Sequence, residues 1–265
     1  MRTKMKVQLM NKTMNIKHTL KAVALLFISS VALMAHAEEE AKPMHANNDV
    51  ANKASLQRGA RNFVNYCSGC HSLKYVRYNR LSVDLDLTDA QVQDNLDFTK
   101  VKLTEMMTIN MDPADGKSWW GKPPPDLSLI ARSRGADYLY TFLHSFYLDP
   151  SRPTGMNNVV LPAAAMPNVL WELQGLQKAV YVGHTADNGS VEKVFTGLEA
   201  DTSSKGKLSP EEYDQFVRDL VNFLDYVGEP GQVERRGLGI RVMGFMLVLF
   251  LLAYALKKEY WKDIK

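Results

Sequence analysis

Cysteine is almost missing from this chain: Cys67 and Cys70 are the only two among 265 residues. That scarcity leaves no further thiol for a zinc site, which needs about four ligands. A thioredoxin-like dithiol wants a βαβ setting, and the pattern around these two residues is helical. Internal repeats are also lacking. Long apolar runs are scarce, with one near the start and one near the end of the chain.

What the chain does hold is Cys67-Ser68-Gly69-Cys70-His71, and C-x-x-C-H is the attachment pattern of a c-type haem. One short helical turn lets both thiols reach the same porphyrin edge. The next residue then lies under the iron, where a neutral imidazole can bind it. With both thiols used in this way, no structural disulfide remains for a domain of this size.

The two apolar runs read differently. Arg2, Lys4, Lys6, Lys12, Lys17 and Lys21 precede Ala22–Leu33, which is too short to span a bilayer. Ala35-His36-Ala37 follows as an A-x-A cleavage signal. Residues 1–37 are therefore expected to be an export leader. Gly237–Leu256 is twenty residues with one charge, Arg241, a length that matches the hydrocarbon core. Arg241 sits near one end, where it can snorkel. Tyr260 and Trp261 stand as interfacial anchors, and Lys257, Lys258, Lys262 and Lys265 surround them. The expected order is leader (1–37), exported domain (38–236), spanning helix (237–256) and cytoplasmic tail (257–265).

Whole-chain charge is +3, but residues 38–236 carry 21 Lys plus Arg against 27 Asp plus Glu, a net of −6. An acidic exported domain suits a basic soluble protein partner through electrostatic steering. It disfavours nucleic acid.

Between the ends the pattern is mainly α. Residues 38–50 look disordered. A helix runs from Ser55 into the C-x-x-C-H motif, with Gly59 and Ala60 leaving a flat spot where a second helix can cross. The spacing of Val101–Met111 predicts a short helix, and Asp137 is placed to cap another that carries Leu139, Phe142, Leu143 and Phe146. A Pro- and Gly-rich loop is expected over 149–167. Val180–Val182 and Val191–Phe195 flank Asn188-Gly189, a hairpin signal. Ser209, Pro210 and Glu212 form a capping box ahead of one apolar stripe, Tyr213 to Val227, ended by Gly228 and Pro230.

A sixth iron ligand must come from the remaining side chains. Methionine sulfur opposite histidine raises the potential and suits electron transfer. Met106, Met107 and Met111 have helical spacing and read as core. Met156 follows Gly155 in a polar loop. Met166 lies in Pro162-Ala163-Ala164-Ala165-Met166-Pro167, where prolines stiffen the chain and small residues permit approach to a flat ring. His144 and His184 are rivals with better structural explanations.

These features together resemble the cytochrome c1 family, the membrane-anchored haem subunits of quinol–cytochrome c reductase (bc1) complexes. The resemblance rests on Cys67–Ser72 with Arg77-Tyr78 and Leu81, Pro124-Pro125-Asp126-Leu127-Ser128 with Arg132 and Arg134, Asp137-Tyr138, Ala165-Met166-Pro167 and the C-terminal anchor. It implies a mainly α, cytochrome c-type haem domain with a small β hairpin and one transmembrane helix. It implies one covalent haem c on Cys67 and Cys70, with His71 and Met166 as axial metal ligands. Arg134, or Arg132 two residues away, would pair with a propionate, and Pro125 and Tyr138 would line the haem. Implied partners are cytochrome b, a Rieske iron–sulfur protein and a soluble cytochrome c, in a dimeric complex of the inner (cytoplasmic) membrane with the haem domain in the periplasm. Segments that are longer in some relatives are short here, and no second cysteine pair is present. An anchored haem sensor and a stand-alone electron shuttle are the alternative functions.

Overall fold

The chain's computed structural model describes residues 43–109, 111–185 and 191–263. The leader expected over 1–37 and the Asn188-Gly189 turn lie outside them, and so does the side chain of His184. Two helices carry the architecture. Helix α1 (Lys53–Tyr66) starts at Asn52, whose side chain accepts from the Ser55 amide, and leads into Cys67. After it come β1 (Leu73–Arg77), α2 (Tyr78–Asp84), α3 (Asp89–Asn95), β2 (Met106–Met107), α4 (Pro113–Trp120), α5 (Ile130–Arg134) and α6 (Ala136–His144). The later elements are β3 (Phe146–Leu148), β4 (Met156–Asn158), α7 (Trp171–Gln174), β5 (Gly175–Thr185), β6 (Val191–Lys205), α8 (Pro210–Gly228) and α9 (Gln232–Tyr260). Strands occur only as antiparallel pairs among the described residues, β1 with β2, β3 with β4 and β5 with β6. The fold is thus mainly α with small sheets, as expected.

Helix α8 opens with the expected capping box: the Ser209 side chain accepts from Glu212 N, and the Glu212 carboxylate accepts from Ser209 N. Its stripe of Tyr213, Val217, Leu220, Phe223, Leu224 and Val227 is buried. It packs on Leu56, Ala60 and Phe63 of α1, with the Phe63 and Phe223 rings 5.8 Å apart. Gly59 makes the crossing possible, because a Cβ there would lie 2.0 Å from the Asp219 carbonyl oxygen and 2.6 Å from Phe223 Cβ. A polar cluster fixes the register. The buried Asp219 carboxylate accepts from Ser55 Oγ (2.6 Å), Arg58 Nε (2.6 Å) and Nη2 (2.9 Å), and Gln215 Nε2 (2.9 Å). Every contact to its oxygens is a donor, which is the condition for burying a carboxylate.

Four sequence expectations change, each for a long-range reason. The segment after Pro43 is not a loose arm: Ala46 is fully buried, and the Ala46 amide and His45 Nδ1 both meet the Asp137 carboxylate at 2.8 Å. Arg218 Nε donates to the Ala46 carbonyl at 2.9 Å. Asp137 is consequently not the cap of α6. It sits inside the first turn, and Gly135 occupies the cap position. No helix forms among the described residues of Val101–Met111. Asn79 N donates to the Leu103 carbonyl at 2.8 Å, the Arg77 guanidinium donates to the Thr104 carbonyl, and Met106 and Met107 pair with β1. Tertiary pairing there overrides local helical spacing. Finally, the loop expected over 149–167 contains β4, which pairs in register with β3.

The β5–β6 ribbon is longer than its sequence signal, with eleven and fifteen residues. Helix α9 runs unbroken for 29 residues, about 44 Å at 1.5 Å per residue, and includes the whole of Gly237–Leu256. Its mean hydropathy is 2.1 in the most apolar window, and none of that window is buried. Apolar side chains face outward all round it, as with Ile240, Met243, Phe245 and Leu252, so it is a membrane-helix candidate by length and composition. Glu229 ties its neck to the domain through Arg235 (2.6 Å) and Arg132 (3.5 Å).

Two outcomes follow. Gly59→Ala is expected to destabilise the haem-loaded protein by about 1–3 kcal/mol through overpacking, read as a lower midpoint in thermal unfolding. Asp137 is held below the ordinary carboxyl value of 3.8, first by the Ala46 amide and then by His45. A depressed folded-state pKa gives a contribution that is fully present above the unfolded-state value and lost as pH falls through the folded-state one. Cleavage within residues 43–50 by an acid-active protease is therefore expected to rise below about pH 4, and Asp137→Asn is expected to allow it at neutral pH with a neutral protease.

Candidate functional site

Helix α1 ends where the motif begins. Cys67 N and Ser68 N both donate to the Phe63 carbonyl, at 2.8 and 3.0 Å. The next turn closes on Cys67 itself, whose carbonyl accepts from Cys70 N (3.0 Å) and His71 N (2.9 Å). Both thiols and the imidazole therefore leave one tight turn, and both cysteines are free and half-buried. Burial pushes the Cys67 thiol up to about 12, with Cys70 beside it adding to the effect, and burial raises Cys70 as well. Thiols shifted upward are not the activated thiolates of a redox dithiol, which sit in electropositive settings.

The segment carrying Pro125 is pinned directly onto the residues after His71. Leu127 N donates to the Ser72 carbonyl (3.0 Å), Lys74 N to Asp126 Oδ2 (2.8 Å) and Tyr75 N to Ser128 Oγ (3.2 Å). Asp126 Oδ1 also accepts from Ser128 N at 3.0 Å, which folds the Asp126-Leu127-Ser128 turn on itself. This docking brings the Pro125 carbonyl oxygen to 2.7 Å from His71 Nδ1. A carbonyl can only accept, so Nδ1 carries the proton and Nε2 keeps its lone pair. Burial lowers the His71 pKa below 6.5, against the opposing pull of the Pro125 carbonyl. The imidazole is thus oriented from behind and neutral, the form in which histidine binds a metal.

The donor set fits a c-type haem: two thiols in one turn, and one imidazole with a fixed tautomer and a bare nitrogen. Arg134 and Tyr138 meet, with the guanidinium 5.5 Å from the ring centroid. They begin a column at four-residue spacing in which Tyr138 stacks on Phe142 (6.3 Å) and Phe142 meets Phe146 edge-on (5.0 Å). Arg132 lies 3.5 Å from Glu229 instead. His144 is occupied structurally, with Nδ1 at 2.8 Å from the Tyr140 carbonyl and Nε2 at 2.9 Å from Asp214.

The methionines also separate. Met156 is buried in β4 and Met107 in β2. Met166 is half-buried on the loop after β4, one residue past the Ala164 and Ala165 pair. A cavity of about 450 Å³ adjoins His71, walled by Phe63 and Val64 of α1, by Phe98, and by Met111 and Trp119. Met166, Arg134 and Tyr138 are not among the residues that line it. Sequence reasoning missed Trp119, and it missed Asn157 and Asn158 beside the Met166 loop. Adjacent asparagines ahead of a proline were the available sign, since such side chains hold turns.

The chain matches the Cytochrome C1 family over residues 42–264. It is 49% identical over 219 residues to a cytochrome c1 of Allochromatium vinosum, covering 83% of this chain and 88% of that protein. It is 42% identical over 241 residues to a Nitrosomonas europaea protein named ammonia monooxygenase gamma subunit, covering 91% and 97%. A mitochondrial cytochrome c1 haem protein of Kluyveromyces lactis is 29% identical over 231 residues, covering 80% and 72%.

Proposed function

The chain belongs to the cytochrome c1 family, and on that footing we propose that it is the membrane-anchored c-type haem subunit of a quinol–cytochrome c reductase (bc1) complex. It passes single electrons from a Rieske iron–sulfur protein to a soluble cytochrome c, beside cytochrome b in a dimeric assembly. The observation that carries this is the His71 imidazole, fixed and neutral against the Pro125 carbonyl in the same turn as both thiols.

Cys67 and Cys70 would hold one haem through thioether bonds, with His71 Nε2 and the Met166 sulfur as its iron ligands. The bound haem supplies a one-electron couple. Pro125 holds the imidazole plane, and Tyr138 lines the ring. Arg134 offers its guanidinium fork to a propionate, the pairing for which that geometry is suited. The Arg132–Glu229 ion pair favours Arg134 for this role. With His71 and Met166 both given to the iron, no position would be left for a substrate, so the subunit would carry out no bond chemistry of its own. That separates this function from the monooxygenase role in the name of the Nitrosomonas europaea relative.

The net acidic domain favours a basic soluble cytochrome c as acceptor. Residues 1–37 act as the leader, 38–236 as the periplasmic haem domain, 237–256 as the membrane span and 257–265 as the cytoplasmic tail.

Met111 is the alternative sulfur, because it shares the cavity with His71. Met166→Leu is expected to abolish the far-red thioether–iron absorption band and lower the reduction potential, with Met111→Leu leaving both unchanged. The reverse pattern assigns the ligand to Met111. Gentle detergent extraction of the full chain is expected to bring cytochrome b and a Rieske protein with it. Recovery of the haem-loaded chain alone would leave a stand-alone shuttle, and a five-coordinate spectrum in the unaltered protein would leave a sensor.

A further inference from the structure

The segment from β4 to Met166 has no regular secondary structure between residues 159 and 166, yet every backbone donor from 159 to 164 has a partner. Val159 N donates to the Ser145 carbonyl at 3.1 Å. Val160 N and Leu161 N both donate to Asn158 Oδ1, at 2.9 and 3.1 Å. Residue 162 is proline and has no N–H. Ala163 N donates to Asn157 Oδ1 at 2.8 Å, and Ala164 N to the Leu161 carbonyl at 3.1 Å. Two adjacent side chains thus take the place that a strand partner or helix turn fills elsewhere.

Neither amide is able to turn over. Asn157 Nδ2 donates to Asp149 Oδ2 at 2.8 Å, and a carboxylate only accepts, so Asn157 Oδ1 must face the loop. That oxygen also accepts from Asn158 N at 2.9 Å. Asn158 is fully buried, and its Nδ2 donates to the Phe142 carbonyl at 2.8 Å. The loop is therefore tied to α6, the helix that carries Tyr138. Ala163 is held at φ +62°, in the left-handed region that non-glycine residues seldom adopt, and Arg152 Nη2 donates to its carbonyl at 3.3 Å. Strain at an alanine persists where its surroundings over-determine it. Downstream of Met166, Asn168 Oδ1 accepts from Leu170 N at 3.2 Å and so closes the far end.

We propose that Asn157 and Asn158 are positioning residues for the Met166 sulfur, a two-asparagine template that sets where the sixth ligand stands. This rests on Met166 being that ligand. Because the loop has no ladder of its own, removing either Oδ1 leaves backbone donors unpartnered and lets the segment relax away from the strained Ala163 geometry.

The test uses the full-length, haem-loaded chain in detergent, comparing the unaltered protein with Asn157→Ala, Asn158→Ala, Met166→Leu and the exchange pair Asp149→Asn with Asn157→Asp. The exchange keeps an acceptor at 157 facing Ala163 N and a donor at 149 facing back. Readouts are the far-red thioether–iron band, the reduction potential, carbon monoxide binding to the reduced protein, and hydrogen exchange of amides 160–164. Asn157→Ala is expected to weaken the band, lower the potential toward that of Met166→Leu, admit carbon monoxide and speed exchange at 163. Asn157→Asp alone is expected to do the same, and the exchange pair to restore the unaltered values. Asn157 is only half-buried, so its variants remain informative if Asn158→Ala fails to fold. If Met166→Leu removes the band while Asn157→Ala leaves band, potential and carbon monoxide exclusion unchanged, the template is refuted. If Met166→Leu itself leaves the band intact, the ligand assignment fails instead, and loss of exchange protection in Asn157→Ala would not rescue it.

Discussion

The close crossing of α1 and α8 is the constraint on which the rest depends. Gly59 allows the helix backbones to meet at the Asp219 carbonyl, and Arg58, Ser55 and Gln215 surround the buried Asp219 carboxylate on either side of that point. Removing one partner of a buried, hydrogen-bonded charge costs far more than the pair contributes net. The register of α1 on α8 is therefore strongly specified. Since α1 ends at Tyr66 and the thiol turn follows at once, that register also decides where Cys67, Cys70 and His71 emerge. A slip of one residue in the crossing would rotate the turn by about 100°.

The imidazole needs a second constraint, and the Pro124–Ser128 segment supplies it. Prolines deny this stretch a helix. Its remaining polar groups spend themselves on residues 72–75, through Ser72, Lys74 and Tyr75. The Pro125 carbonyl is left aimed at His71 Nδ1. An outer partner of this kind sets both ring orientation and tautomer at metal-binding histidines. The same logic recurs on the Met166 side, where asparagine amides rather than a carbonyl hold the chain. The column of Arg134 at the end of α5, Tyr138 and Phe142 on α6, and Phe146 at the start of β3 runs along the same stretch of chain.

What could be read from sequence was local. The C-x-x-C-H turn, the Ser209–Glu212 capping box, the α8 stripe and the long apolar helix each depend on residues within a turn or two of one another. Gly59 was legible too, because a small pair on an otherwise apolar face signals close approach. The docked arm at Ala46, the strand at Met106-Met107 and the diversion of Asp137 from a cap were not. In each, the deciding partner is distant in sequence: Asp137 serves an amide 91 positions away. Asn157 and Asn158 escaped notice although their partners are nearer, because which way each amide faces is visible only once Phe142 and Asp149 stand beside them. The ion pair of Arg132 with Glu229 likewise spans a long stretch of sequence.

The central claim is that Cys67, Cys70 and His71 form one preorganised turn that receives a haem. Mass spectrometry of the tryptic peptide covering residues 62–74, taken from protein made in cells that mature c-type cytochromes, tests it most directly. The account predicts one haem joined to that peptide through both cysteines, with neither thiol open to alkylation. A peptide of unmodified mass whose two cysteines both alkylate would contradict it.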